Sequence, residues 1–136
     1  MSHQVHIRTR LKTQSENGTD TIERTYTGRL SKTVGGFVID YADSENNGNA
    51  SLTIHEELVT VCRKGHINSE LRFAKGKKLS ATYHTPQGSL DMHTHTQSVN
   101  FRSRGRYSRI TIDYALLIGP EEASSNSLTI DWHFLE

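Results

Sequence analysis

His93 and His95 are the residues most suggestive of metal chemistry. Alternate residues of a strand project from one face, so these two imidazoles could share a Zn²⁺ or Ni²⁺. Leu90, Met92, Thr94 and Thr96, however, claim the inward phase of the same segment and leave Asp91, His93 and His95 on the outer, solvated side. No third or fourth ligand stands at a usable spacing, and no metal or other cofactor is expected. Cys62 and His66 could form a thiolate–imidazole pair, but a turn at Lys64-Gly65 separates them and no third residue orients them. Glu56 and Glu57 resemble an acid–base pair, yet neighbours on a strand face opposite ways, and a charged turn accounts for them better. No catalytic residue is assigned. The expectation is a non-enzymatic protein, with an enzyme of unrecognised site as an alternative.

Two further constellations point to binding. Phe101 to Arg109 interleaves Arg102, Arg104, Arg106 and Arg109 with Phe101 and Tyr107, the composition of a contact to single-stranded nucleic acid or another anionic surface. The chain lacks overall basicity, and Asn100 to Gly105 reads as a polar loop, which argues against nucleic acid as the partner. The second constellation is a set of residues in phase with the apolar series: Arg24, Tyr26, Tyr41, Tyr83, Thr94, Tyr114 and Trp132. Amphipathic rings, a hydroxyl and one guanidinium would suit a small, anionic ligand inside a barrel, whereas the plainer reading is that they fill its core.

The elements that position these residues are strands. Val5, Ile7 and Leu11 alternate with His6, Arg8 and Arg10 up to Asn17-Gly18, a favoured hairpin turn. Similar runs carry Phe37, Ile39 and Tyr41 after the bend at Gly35-Gly36, then Leu52 and Ile54, then Val59 and Val61. Ile67, Leu71 and Phe73 follow, then Leu79, Ala81 and Tyr83, with tight turns at Lys75-Gly76 and Pro86-Gln87-Gly88. The strongest run has Ile110, Ile112, Tyr114, Leu116 and Ile118 on one face. A turn over Gly119-Pro120 and Ser124 to Asn126 leads to Leu128, Ile130, Trp132 and Phe134. No segment shows a sustained helical period. About ten strands with short links predict an all-β fold, a single antiparallel up-and-down barrel over residues 1–136.

Composition narrows the setting. The chain has 136 residues, 33% hydrophobic and 23% charged, with a net charge of +1. One cysteine and no apolar leader predict a cytoplasmic location, and no apolar run approaches the ~20 residues of a membrane helix. A monomer and a homodimer are equally compatible with the pattern. Successive turns of a meander alternate between the two ends of a barrel, so Lys32, Glu56-Glu57, Lys75, Lys77, Lys78, Arg102, Arg104 and Arg106 should gather at one mouth. Acidic turns should gather at the other. An open pocket is expected nearer Lys77 and Arg104 than Asp43 and Glu121.

Val61 to Gly65 with Leu71-Arg72-Phe73, Tyr83-His84-Thr85 and Gly88 to Thr94 resemble the YwiB-like family of uncharacterised small bacterial proteins. So do Gly105 to Tyr114 and Asn126 to Ile130, and the resemblance spans about Val5 to Trp132. It implies a calycin-type, lipocalin-like barrel, and by analogy of fold a small ligand in or at the mouth of the lumen. It implies no reaction, and a metal role for His93 and His95 would be private to this chain.

Overall fold

Alternating apolar and polar residues fold into strands wherever a sheet can bury one face, and this pattern recurs along nearly the whole chain. The computed structural model describes residues 2–135. Its strands are β1 (Ser2–Ser15), β2 (Gly18–Thr33), β3 (Gly36–Asp43), β4 (Gly48–His55) and β5 (Leu58–Lys64). They continue with β6 (Asn68–Phe73), β7 (Lys78–Thr85), β8 (Gly88–Arg104), β9 (Tyr107–Ile118) and β10 (Glu121–Phe134). The described helix is one 3-10 turn, Ser44–Asn46. Each strand pairs antiparallel with its sequence neighbour, and β1 pairs with β10 to close the barrel.

Local chemistry sets the corners. The β1–β2 hairpin turns at Asn17-Gly18, where Gly18 has φ +107°, a conformation a side chain would strain. On the inner face of β2, a Cβ at Gly28 would lie 2.4 Å from the Asp40 carbonyl oxygen, so glycine lets β3 press against β2 there. Asn46 clips two turns together: its amide nitrogen donates to the Ile67 carbonyl at 2.7 Å, and its amide oxygen accepts from the Ile67 N–H at 2.8 Å.

The inward phase runs continuously around the barrel. Ile7 faces Tyr26 and Trp132 in register, Leu30 faces Ile39, Leu52 faces Val61, and Val59 faces Phe73. A bulge between Thr96 and Ser98 resets β8, so that Thr96 above it and Val99 and Phe101 below it all point inward. β6 pairs with β7 only through Asn68–Glu70. Beyond that the seam is bridged by side chains, with Thr94 Oγ1 donating to the Arg72 carbonyl at 2.5 Å and Arg72 donating to Ser80.

Two segments differ from the sequence expectation. Asn100 to Arg104 is strand, paired with Tyr107–Thr111, and only Gly105-Arg106 turns. Ser124 to Asn126 is also strand, entered through a bulge at Ala123, and the turn is confined to Gly119-Pro120. In both cases ladder hydrogen bonds to a neighbour hold polar residues in a sheet that apolar periodicity could not announce.

Candidate functional site: the basic mouth of the barrel

The turns after β2, β4, β6 and β8 gather Lys32, Glu56, Glu57, Lys75, Lys77 and Arg106 at one mouth. A cavity of about 500 Å³ opens there, with Phe37, Ile54, Val59, Val99, Phe101 and Ile110 as its apolar walls. Glu56, Glu57, Lys75 and Lys77 stand at its rim. Phe37 enters the cup because it is the first large side chain after the β2–β3 turn, and Phe101 because the β8 bulge turns it inward. Their rings lie 5.5 and 6.0 Å from that of Trp132, which is buried behind them. A smaller cavity beside it, about 320 Å³, is lined by His3, Leu30, Lys32, Arg106 and Phe134.

The basic residues divide by strand phase. Lys75 and Lys77 line the cup, and Arg106 donates from the turn to the Phe134 carbonyl at 3.1 Å. Lys78, opposite His95, and Arg102 and Arg104, on the far side of β8 from Phe101 and Ser103, face outward. The structure thus brings two of the six rim candidates, Lys75 and Lys77, to the main pocket.

The lumen candidates have a different fate. Ile7, Ile39, Phe73, Ile110 and Ile112, each at most 1% exposed, close the middle of the barrel. Thr94, Tyr114 and Trp132 belong to that packing; the Tyr114 ring lies 4.6 Å from Phe73. None of the seven lumen candidates lines the apolar cup. Arg24, expected in the lumen, does not line it: it shares the phase of Tyr26, but its side chain is 44% exposed and pairs with Glu45 at the opposite mouth. Phase determined its face, while the stagger of the strands determined its depth. Tyr26, Tyr41 and Tyr83 line that same end, half-buried.

A buried carboxylate at that same end is met by Arg63, itself 39% exposed. Arg63 follows Val59 and Val61 in phase, crosses the small Ala50 of β4, and donates from Nε to Asp43 Oδ2 at 2.8 Å. Asp43, 3% exposed at its side chain, follows Ile39 and Tyr41 in phase. Their positions beside polar turns disguised them as turn charges, although counting by twos from Val59 and Ile39 reveals both. Burial works against the Arg63 charge, but the hydrogen bond and charge of Asp43 prevail and raise its pKa. Burial, then the neighbouring Tyr26 and Asp43, pushes the Tyr41 phenol up to about 12. Burial alone raises Tyr114 to about 12.

These shifts carry a sign. A phenol whose folded pKa exceeds its unfolded value near 10 stabilises the fold fully below pH 10, and that contribution fades as pH rises through about 12. In an alkaline titration followed at the tyrosinate absorbance, Tyr41 and Tyr114 should ionise last, with stability falling across that window. Tyr41→Phe and Tyr114→Phe should each remove one late component; a single transition near pH 10 for every tyrosine would refute the assignment.

Among the described residues no group of three or more His, Cys, Asp or Glu is arranged to hold a metal ion. His93 and His95 lie on the outer face of β8, opposite Ser80 and Lys78. Cys62, half-buried, faces outward between Ser51 and Glu70.

The chain belongs to the family described as "Domain of unknown function (DUF1934)", whose model matches residues 5–130. Its structure is similar to the crystal structure of the ywiB protein from Bacillus subtilis, with a TM-score of 0.87 at 20% sequence identity over 99% of this chain and 94% of that one. The YwiB-like resemblance and the closed ten-stranded antiparallel barrel are thereby shown. No curated protein matches the chain. No helix among the described residues is long and apolar enough to cross a membrane.

Proposed function

We propose that this DUF1934 member binds a small amphipathic anion at the basic mouth of its barrel, without catalysing a reaction. The observation that carries this reading is the apolar cup of about 500 Å³ with Lys75 and Lys77 at its rim. Ligand sites combine an apolar concavity of this size with a few polar groups that orient the bound molecule. An alkyl or aromatic body would rest against Phe37, Val99 and Phe101 while its acid group meets the lysines. Glu56 and Glu57, on the other side of the rim, would repel a second acid group and set the direction of entry. The single cysteine suits a reducing, cytoplasmic compartment. The charged outer face, with Arg8, Arg10 and Glu23, is unlike the apolar band of a membrane barrel.

Trp132 is the single tryptophan and touches two rings of the cup, so its fluorescence reports occupancy. Dodecanoate and dodecyltrimethylammonium share a tail and differ in charge. Dodecanoate should give a saturable change, and the cationic amphiphile a markedly weaker one. In a Lys75→Ala/Lys77→Ala double variant the Kd for dodecanoate should rise about fivefold or more, as expected from removing two partly exposed charges worth up to about 1 kcal/mol each. No saturable response, or equal affinity for both amphiphiles, would refute the reading.

A further inference from the structure

The arginine-rich segment that reads as a loop is a hairpin, and this changes what its side chains can do together. Strand phase sends Phe101 and Ser103 inward and aims Arg102, Arg104, Tyr107 and Arg109 at the outer face. The register then extends two parallel rows across four strands. One row is Arg104, Tyr107, His133 and His6. The other, two residues along each strand, is Arg102, Arg109, Asp131 and Arg8.

The first row is a platform of rings. Tyr107 and His133 have centroids 5.2 Å apart with their planes tilted by 40°, and His133 and His6 are 5.2 Å apart and tilted by 48°. Tyr107 is 65% exposed while the two imidazoles are half-buried, so bases would stack on them as a stepped row. The second row carries charge. Arg102 stands directly across from Arg109, a like-charge pairing that costs stability in a sheet unless an anion lies over it. Asp131 takes up Arg109 through Nε at 2.5 Å, and Glu23 takes up Arg8 at 3.2 Å and Arg10 at 3.6 Å. Arg102 and Arg104 have no ion-pair partner among the described residues. A groove of about 440 Å³ runs between these two arginines, Tyr107 and His133.

We propose that this outer face of β8, β9, β10 and β1 binds single-stranded nucleic acid, its bases stacking on the Tyr107–His133–His6 row and its phosphates meeting Arg102 and Arg104. Single strands are gripped by a basic track beside aromatic faces, without reading sequence. Two strand spacings of ~4.8 Å give a ring row about 10 Å long, room for about three nucleotides of a stacked strand. A duplex hides its base faces and cannot use the rings. The site lies outside the barrel and is independent of the apolar cup.

Fluorescence polarisation with labelled dodecamers of uridylate and thymidylate tests this, with a duplex and inorganic polyphosphate as competitors. Both single strands should bind, the tighter naming RNA or DNA as the natural source, and affinity should fall steeply with salt. Tyr107→Ala, at an exposed position and checked by its melting temperature, should weaken binding about fivefold or more at every salt concentration. Arg102→Ala/Arg104→Ala should make the slope of log affinity against log salt shallower by about 1.4, at ~0.7 for each phosphate no longer neutralised. Lys75→Ala/Lys77→Ala should change neither. The proposal is overturned if no polarisation change is seen up to about 100 times the oligonucleotide concentration in protein, if the duplex competes better than the single strands, or if polyphosphate competes equally and Tyr107→Ala has no effect.

Discussion

Replacing Arg63 with methionine should destabilise the barrel by about 3 kcal/mol or more, because it leaves the Asp43 carboxylate buried without its counter-ion. Methionine retains the apolar stem over Ala50, so the loss isolates the charge from packing. Arg63 is 39% exposed and water reaches part of its head, which places the expectation at the lower end of the ~3–5 kcal/mol found when a buried pair loses one member. The pair also joins β3 to β5 across β4, so the damage should concentrate at the mouth opposite the lysines. Urea denaturation of Arg63→Met and of the double variant Arg63→Met/Asp43→Leu separates the causes. The double variant should recover most of the loss, since an apolar pair carries no stranded charge. A single variant within about 1 kcal/mol of the parent, or a double variant no better than the single, would show that Asp43 does not depend on Arg63.

Phe73→Ala should cost about 3–5 kcal/mol and lower the melting temperature by about 10–20 °C. Phe73 is completely buried on β6, opposite Val59 and against the Tyr114 ring from across the barrel. It is one of the side chains that close the middle of the lumen, and its loss leaves a cavity between walls held by continuous strand pairing, which limits collapse. Phe73→Leu keeps much of the volume and should lose clearly less. Thermal denaturation measures both. A Phe73→Ala protein within about 1 kcal/mol of the parent would mean that the barrel is not packed around this ring, contrary to the division of the lumen into a closed middle and an open basic mouth.

Much of this architecture was legible in the sequence. Apolar alternation identifies the ten strands, and turn residues such as Asn17-Gly18 locate several corners. Alternation of turns between ends then gathers Lys32, Glu56, Glu57, Lys75 and Lys77 at one mouth, because that assignment needs only the order of antiparallel strands. The inward phase of Phe37 and Ile110, two walls of the cup, follows from the same period of two.

Depth and closure required the tertiary structure. Arg24 and Arg63 both share the phase of apolar neighbours, yet one pairs with a half-exposed carboxylate at the rim and the other with a buried one. Period fixes the face of a sheet a residue occupies, whereas position along the barrel axis depends on how far each tilted strand slides past the next. The same limit hid the β8–β9 hairpin. Periodicity reports burial, and the Arg102–Arg104 stretch is held by backbone pairing to Tyr107–Arg109, so no apolar signal marks it. Whether the lumen would be open or filled was likewise undecided by residue type, since a ring lining a cavity and a ring packing a core look alike in sequence. Position along the barrel made the difference: Phe73 meets Tyr114 and seals the middle, while at the mouth the Phe37–Phe101 ring pair forms one wall of a cup that stays open toward the β4–β5 and β6–β7 turns.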